Sequence, residues 1–188
     1  MSLCAETTGR NGSVGKCKVK ENQEEGSKEV LDRKDAKRRE TWEIRRICRE
    51  QEKEAAKLAA LEKRVFSDAW TERGIMETLC QDNAMALGIW KDGVFAGYVI
   101  LYYVLDEGEI ARIATDPSCR RQGAAGRLFE RLEKICGERG IGRLLLEVRR
   151  SNEAAVAFYQ KWGFTEDGIR KDYYASPRED AVLMSKWL

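Results

Sequence analysis

A short segment between residues 116 and 129 carries the residues with the clearest chemical meaning in this chain. Two arginines, Arg120 and Arg121, are followed by Gln122 and then by small residues, where a stretch with helical spacing begins. Small residues let backbone N–H groups approach a diphosphate, and the positive end of the following helix points to the same place. We therefore predict a diphosphate site formed by Arg120, Arg121, Gln122, Gly123, Ala124, Ala125 and Gly126.

The absence of histidine from the whole sequence limits the proton chemistry that this chain can perform. It excludes Ser–His and Cys–His mechanisms and the usual zinc sites, so carboxylates, tyrosines, lysines or water must move protons. The six cysteines lie far apart and form no Cys-x-x-Cys pair, which is typical of free thiols in a reducing compartment. We therefore predict no metal site and no disulfide framework.

Seven strands and four helices are predicted to hold these residues in place. Hydrophobic periodicity and turn residues give them the order βααβββαβαββ, which is a mixed α/β fold with a central mixed sheet. The strand, helix, strand unit that contains the predicted diphosphate site implies one parallel strand pair. The predicted strands are residues 42–47, 84–90, 94–105, 109–115, 143–148, 164–174 and 181–188, and the predicted helices are residues 50–64, 70–80, 122–139 and 152–162.

Two segments at a characteristic separation resemble the GCN5-related N-acetyltransferase family across residues 41–188. The first is Arg120-x-x-Gly123-x-Ala125, similar to the pyrophosphate signature of that family, and the second is the segment at residues 152–164. Three further segments, at residues 66–70, 146–152 and 170–184, are similar to the RimI-type members, which acetylate the N-terminal alanine of a small-subunit ribosomal protein. The resemblance implies acetyl-CoA as cofactor.

The resemblance also implies how the cofactor arm is held. Ile113, Ala114 and Thr115 end the strand before the phosphate turn, and their backbone is expected to pair with the extended pantetheine arm, as a peptide pairs with a sheet edge. In such folds this strand separates from the next one and leaves a cleft for the thioester. The sequence itself shows no bulge that would produce the separation.

Two glutamates compete for the role of general base. Near pH 7 most of a protein α-amine is protonated, because its reference pKa is about 7.7 to 8.0, so a base is needed. Glu147 ends a strand after three leucines, and the RimI-type enzymes carry their base at this place. A structural carboxylate paired with Arg112 or Arg149 is the alternative. Glu109, on the preceding strand, is the competing base and is also predicted to line the substrate site.

Tyr159 is predicted to be the general acid and to contact the cofactor. A phenol with a pKa of about 10 can donate a proton to a departing thiolate. Asn152 lies seven residues earlier in the same predicted helix, almost two full turns, and is expected to bond the pantetheine or the peptide chain. The alternative for Tyr159 is an aromatic core residue.

Four aromatic residues are candidates for the wall that holds the acceptor, although core packing would explain them equally well. The loops that carry them should border the cleft, and Glu179 and Asp180 could meet a basic protein terminus there. The candidates are Phe66, Trp70, Tyr173 and Tyr174.

The function predicted from these residues is acetyl transfer from acetyl-CoA to the N-terminal alanine amine of a ribosomal protein, by direct attack in a ternary complex. Two alternatives stay open. One is an acetyltransferase acting on a lysine side chain or a small-molecule amine. The other is a non-catalytic acyl-CoA-binding or ribosome-associated module.

Residues 1–40 differ in composition from the remainder of the 188-residue chain. They carry ten Lys/Arg and eight Asp/Glu with few apolar residues, and we predict a disordered extension. It is an electrostatic arm for ribosomal RNA, a solvated extension, or the result of a wrongly assigned start codon. The other 148 residues carry 24 charges of each sign, which argues against nucleic-acid binding by the folded domain. With no membrane-spanning run and no secretory signal, we expect a cytoplasmic monomer.

Overall fold

The computed structural model describes residues 40–188, and the predicted extension therefore lies almost entirely outside the described residues. The predicted order of elements is confirmed. The strands are β1 (Trp42–Ile47), β2 (Ala84–Lys91), β3 (Val94–Val104), β4 (Glu107–Thr115), β5 (Arg143–Arg149), β6 (Thr165–Ala175) and β7 (Arg178–Trp187), and the helices are α1 (Glu52–Val65), α2 (Glu72–Leu79), α3 (Ala124–Glu138) and α4 (Glu153–Lys161).

The seven strands form one sheet in the order β1-β2-β3-β4-β5-β7-β6. Every neighbouring pair is antiparallel except β4 and β5, which are parallel, as the strand, helix, strand unit predicted. A parallel pair needs a crossover connection, and α3 provides it. The predicted diphosphate site lies in the first part of that crossover, just beyond the carboxyl end of β4.

Each face of the sheet is covered by helices and has its own buried core. Leu128, Phe129 and Leu132 of α3 pack with Leu144 and other apolar residues on one face. On the opposite face, residues of α1 and α2 pack against β2 and β3. Leu144, Leu146 and Val148 of β5 enter the first core, whereas Glu147 lies on the opposite face of this strand together with Leu145.

The turn between β4 and α3 is fixed by Asp116. Its carboxylate accepts hydrogen bonds from the Ser118 backbone N–H at 3.0 Å and from the Ser118 hydroxyl at 2.6 Å. It also pairs with Arg64 of α1 at 2.8 Å. The Ser118 hydroxyl and N–H bonds, followed by Arg64, lower the pKa of Asp116 and keep it ionised.

We expect Asp116→Ala to destabilise the fold by about 1–2 kcal/mol at pH 7, because the variant loses a capping carboxylate and its ion pair. The pKa of Asp116 is lowered on folding, so its contribution is present above the unfolded pKa and is lost as the pH falls through the folded value. Urea unfolding at pH 7 and below pH 4 checks both statements. Asp167→Ala, which removes an exposed ion pair with Arg143, is the control and should cost less than about 0.5 kcal/mol.

Candidate functional site

The turn after β4 presents a row of open backbone N–H groups. Arg121 and Gly123 both adopt left-handed backbone conformations, with φ of 57° and 87°. Such residues turn successive N–H groups toward one point and form a concave anion site. Helix α3 begins directly afterwards at Ala124, and its N-cap residue, Gly123, offers no side-chain hydrogen bond. The first N–H groups of α3 are therefore open to a ligand, which favours negative charge at this helix end.

A pocket of about 570 Å³ opens in front of this turn. Its volume lies within the range of small-ligand and cofactor sites. Arg120, Arg121 and Lys161 bring positive charge to it, and none of the three forms an ion pair with another residue in the range 40–188. The lining residues are Thr115, Cys119, Arg120, Arg121, Gly123, Ala124, Ala125, Gly126, Phe158, Lys161 and Trp162. Open N–H groups, cations and free volume thus occur together, and this combination suits a diphosphate.

The structure places Gln122 differently from its neighbours in the predicted diphosphate site. Its side chain does not line the pocket. It donates to the Ser118 carbonyl at 2.7 Å and accepts from Lys91 at 2.6 Å, which ties the turn to the end of β2. The side chain of Gln122 therefore stabilises the turn and is not available to a ligand in the pocket.

Helix α4 contributes pocket residues that the sequence analysis missed. Lys161 and the C-cap residue Trp162 lie three and four residues after Phe158, so all three lie on one side of the helix. Tyr159 lies beside Phe158, one position outside this set. Helical spacing counted from residue 158 could have identified the three residues, but only the packing of α4 on α3 places that face against the phosphate turn.

We expect Lys161→Ala to weaken acetyl-CoA binding by about three- to tenfold, because one of three unpaired cations at the pocket is removed. The loss should be larger at low ionic strength, where screening is weaker. Isothermal titration at two salt concentrations measures it. Lys134→Ala, an exposed lysine on α3 outside the pocket, is the matched control and should leave the affinity unchanged.

The cleft beside the pocket is produced by the separation of β4 from β5. The two strands pair only from Glu107 to Ile110 on β4 and from Arg143 to Leu146 on β5. Beyond Ile110, β4 stays paired with β3 alone. The register of β3 against β4 skips Ala111, so β4 carries a bulge where the separation begins. The bulge was not apparent in the sequence, and it accounts for the cleft that the family resemblance implied.

The open side of β4 presents backbone groups of Ile113 and Thr115. The N–H of Asp116 donates to the carbonyl of Ala96 on β3 at 2.8 Å, and successive residues of a strand point in alternate directions. The backbone groups of Ala114 therefore face β3, and those of Ile113 and Thr115 face the gap left by β5. Two of the three predicted residues thus offer an edge with which an extended pantetheine arm can pair.

Glu147 lies on β5, one residue beyond the last paired position, and so faces the mouth of the cleft. Its side chain is 18% exposed and forms an ion pair with Arg170 of β6 at 2.6 Å. The alternative in the sequence analysis paired it with Arg112 or Arg149, and the structure shows Arg170 instead. The Tyr173 hydroxyl also bonds this carboxylate, which raises the pKa of Tyr173.

Glu109 lies on the same face of the sheet as Glu147. It is aligned with Leu145 of β5, which is two residues before Glu147. Its side chain is exposed, and its charge helps to raise the pKa of Tyr173, as the charge of Glu147 does. Both candidate bases therefore border one cleft, Glu147 beside a cation and Glu109 facing solvent.

Tyr159 of α4 is 7% exposed and packs against Phe129, Phe158 and Phe164. Burial raises the pKa of its phenol, and the nearby Tyr174 adds to the increase. The phenol is therefore protonated at every physiological pH, and no residue in the range 40–188 accepts its hydrogen. The predicted acid role and the alternative core role are both compatible with this position, since the ring packs while the hydroxyl keeps its proton.

Asn152 is the N-cap residue of α4 and precedes its first turn. Its side-chain oxygen accepts a hydrogen bond from the Ala155 N–H at 3.2 Å. The predicted helix began at Asn152, whereas the structure begins it at Glu153. The side-chain carbonyl of Asn152 is therefore engaged in capping α4, and the hydrogens of its side-chain amide stay available for a ligand.

The four predicted acceptor-wall residues occur in two pairs. Phe66 and Trp70 lie in the connection between α1 and α2, and both are partly buried. Tyr173 and Tyr174 lie on β6 with their ring centroids 5.0 Å apart. The Ser67 hydroxyl contacts the Ser176 carbonyl at 3.3 Å, so the helix connection meets the β6–β7 hairpin. These elements border the cleft on the face that carries Glu147.

Glu179 and Asp180 are engaged within the domain and do not present free charge to a basic protein terminus. The carboxylate of Glu179 accepts from the Ser151 N–H and pairs with Arg149 at 3.5 Å. Asp180 pairs with Lys171 at 2.9 Å. Their pKa values are lowered by hydrogen bonds, from Ser151 to Glu179 and from Lys171 to Asp180. These two residues hold the β6–β7 hairpin against β5.

The fold and the site together define an acetyltransferase, and comparison with known proteins agrees. The model of the acetyltransferase (GNAT) family matches residues 41–164, and the chain belongs to this family. The predicted family and the predicted use of acetyl-CoA by an N-acetyltransferase are thereby confirmed.

Similar proteins include ribosomal-protein acetyltransferases. The ribosomal protein bS18-alanine N-acetyltransferase of Escherichia coli (strain K12) is 36% identical over 127 residues, which cover 66% of this chain and 85% of that enzyme. The crystal structure of the ribosomal-protein-S18-alanine N-acetyltransferase from Escherichia coli matches with a TM-score of 0.71 and 33% identity, covering 78% of this chain and 94% of that one. The PaiA N-acetyltransferase of Thermoplasma acidophilum, solved with coenzyme A, shares the fold at a TM-score of 0.63 and 20% identity, covering 79% of this chain and 99% of that one.

Within residues 40–188, no group of three or more cysteines, aspartates or glutamates is arranged to hold a metal ion. In the same part of the chain, none of the helices combines the length and the apolar character that crossing a membrane requires.

Proposed function

We propose that this chain transfers acetyl from acetyl-CoA to the N-terminal alanine amine of ribosomal protein bS18. The observation that carries the proposal is the position of Glu147 at the mouth of the cleft where β4 and β5 separate, between the open strand edge and the aromatic residues. The acceptor is supported by the similarity to the Escherichia coli enzyme, which spans most of that protein.

Each requirement of acetyl transfer has a candidate residue. Open N–H groups of the turn at residues 121–126, with Arg120, Arg121 and Lys161, would hold the diphosphate. The backbone of Ile113 and Thr115 would bind the pantetheine arm. Acetyl-CoA, when bound, supplies the activated thioester, and the exposed strand edge would polarise its carbonyl.

Glu147 would accept a proton from the α-ammonium group, which leaves a neutral nitrogen able to attack the thioester carbonyl. Tyr159 would then donate its phenolic proton to the sulfur as the C–S bond breaks. Because burial raises the pKa of Tyr159, the residue is protonated when this step begins. The nitrogen would release its second proton after attack, and this proton would restore the phenol of Tyr159. The C–N bond formed and the C–S bond broken then give acetylated peptide and free thiol, and no covalent enzyme intermediate is needed.

The test is thiol release from acetyl-CoA with N-terminal hexapeptides that begin with alanine, serine, methionine or blocked alanine, together with a lysine peptide and spermidine. We expect turnover of the free alanine peptide only. Preference for the lysine peptide or for spermidine would keep the acetyltransferase and overturn the acceptor. Binding of acetyl-CoA without turnover of any acceptor would favour a non-catalytic module.

A further inference from the structure

Arg112 lies where the strand that borders the cofactor cleft meets the loop that carries half of the acceptor wall. It follows the bulge at Ala111 on β4, and its side chain is only 14% exposed. The carbon at the centre of its guanidinium is 4.5 Å from the ring centroid of Phe66 and 5.3 Å from that of Trp70. The planar cation therefore contacts both predicted wall residues of this loop.

Polar contacts fix the same guanidinium to the loop backbone. Its Nη2 atom donates to the Asp68 carbonyl at 2.9 Å and lies 3.2 Å from the Asp68 carboxylate. Its Nε atom is buried without a hydrogen-bond acceptor, 3.9 Å from the carboxylate of Glu62. Arg112 thus contacts Phe66, Asp68 and Trp70, which all lie in the loop between α1 and α2.

Glu62 extends these contacts to the core beneath the loop. Its carboxylate is fully buried, accepts from the Trp70 N–H at 2.9 Å and accepts from the Tyr98 hydroxyl of β3. Burial raises the pKa of Glu62, although the Trp70 N–H and the charge of Arg112 act in the opposite direction. The loop, helix α1 and two strands therefore share one polar network.

We propose that Arg112 is a positioning residue that sets the acceptor wall, Phe66 and Trp70, relative to the cleft of β4 and β5. The proposal rests on the proposed function, in which this cleft admits a peptide N-terminus. The bulge fixes where Arg112 leaves the strand, and the guanidinium fixes where the loop lies, so the position of the strand determines the position of the wall. Arginine is required because a lysine ammonium has no planar fork to contact two rings and the Asp68 backbone together.

The test compares Arg112→Lys with Arg73→Lys in the full chain. Arg73 lies on α2, where it forms an exposed ion pair with Glu77 at 2.8 Å, so the same substitution there is a matched control. Three quantities are measured: the KM for the alanine peptide, the Kd for acetyl-CoA, and the hydrogen exchange of backbone amides 66–71 without acceptor. A displaced acceptor wall changes the KM for the alanine peptide and the amide exchange, but it leaves the Kd for acetyl-CoA unchanged.

We expect Arg112→Lys to raise the acceptor KM about tenfold and to accelerate amide exchange at residues 66–71, with the acetyl-CoA Kd within about twofold of the wild type. The Arg73→Lys control should match the wild type in all three measurements. Unchanged exchange and unchanged KM in Arg112→Lys would overturn the proposal. An equal loss of acetyl-CoA affinity would also overturn it, because Arg112 would then act through β4 itself.

Asp68→Asn is a milder variant in case Arg112→Lys does not fold. It removes only the half-exposed carboxylate and keeps the backbone carbonyl that Arg112 contacts, so we expect about a threefold increase in acceptor KM. A KM equal to that of the wild type would count against the proposal. If the wild type acetylates no peptide of the panel, the proposed function is wrong, while amide exchange in the Arg112 and Asp68 variants still decides the positioning role.

Discussion

Glu147→Gln should lower kcat/KM for the alanine peptide by about 100-fold or more near pH 7, because it removes the group that accepts the amine proton. Acetyl-CoA affinity should stay unchanged, since Glu147 lies outside the pocket that the phosphate turn forms. The loss should shrink above about pH 8, where the α-amine releases its proton to solvent without help. Steady-state rates from pH 6 to pH 9.5, with titration of acetyl-CoA, measure both quantities.

Glu109→Gln is the matched control for this experiment. The same substitution is made on the neighbouring strand, on the same face of the sheet, at a residue that is exposed to solvent. We expect a smaller loss and the pH dependence of the wild type. A larger loss in Glu109→Gln, or an unchanged pH profile in Glu147→Gln, would transfer the base role to Glu109 or to water. The fold should tolerate Glu147→Gln, because its partner Arg170 is 53% exposed and can be solvated.

Gly123→Trp should weaken acetyl-CoA binding by about 100-fold or more and abolish turnover at ordinary cofactor concentrations. Gly123 has a φ of 87°, a conformation that costs about 1–2 kcal/mol for a residue with a Cβ atom. The residue also lines the pocket, so an indole there occupies the space in front of the open N–H groups. Isothermal titration with acetyl-CoA measures the loss of affinity.

Gly137→Trp separates loss of the pocket from general damage to α3. Gly137 lies in the same helix and is exposed, and beyond its chain neighbours and the nearby backbone of the helix itself, no atom lies within 4 Å of the position that a Cβ would take. We expect this variant to bind acetyl-CoA like the wild type. Equal losses of affinity in the two variants would show that helix damage, not occupation of the pocket, is responsible. Thermal unfolding of both proteins gives an independent check.

The sequence contained enough information to predict the type and order of every α-helix and strand in the described domain, although not the short 3-10 helix at Pro117–Cys119. Element type follows from local hydrophobic periodicity and turn residues, which the chain carries without reference to distant contacts. A turn with left-handed backbone after β4 was predictable for the same reason, because Gly123 and the small residues after it act through local backbone conformation, while diphosphate binding by this turn stays a prediction. The ends of the helices were less certain: α3 begins two residues later than predicted, after the left-handed Gly123.

Side-chain partners were not predictable to the same extent. Arg170 pairs with Glu147 although 23 residues separate them in the chain, because the order of β5, β7 and β6 brings them together. Gln122 bonds Lys91 across 31 residues, which removes its side chain from the site that local sequence assigned to it. Such pairings depend on register and packing, which no local pattern specifies.

The sequence by itself thus determined the elements, the turn after β4 and the residue types available for acid–base chemistry, because each depends on neighbouring positions or on composition. The tertiary structure alone decided the bulge at Ala111, the separation of β4 from β5 and the contacts of Arg112 with Phe66 and Trp70. A bulge is a mismatch between two strands, so it exists only when both strands are paired. The cleft follows from that mismatch, and for this reason its residues are brought together only in the folded chain.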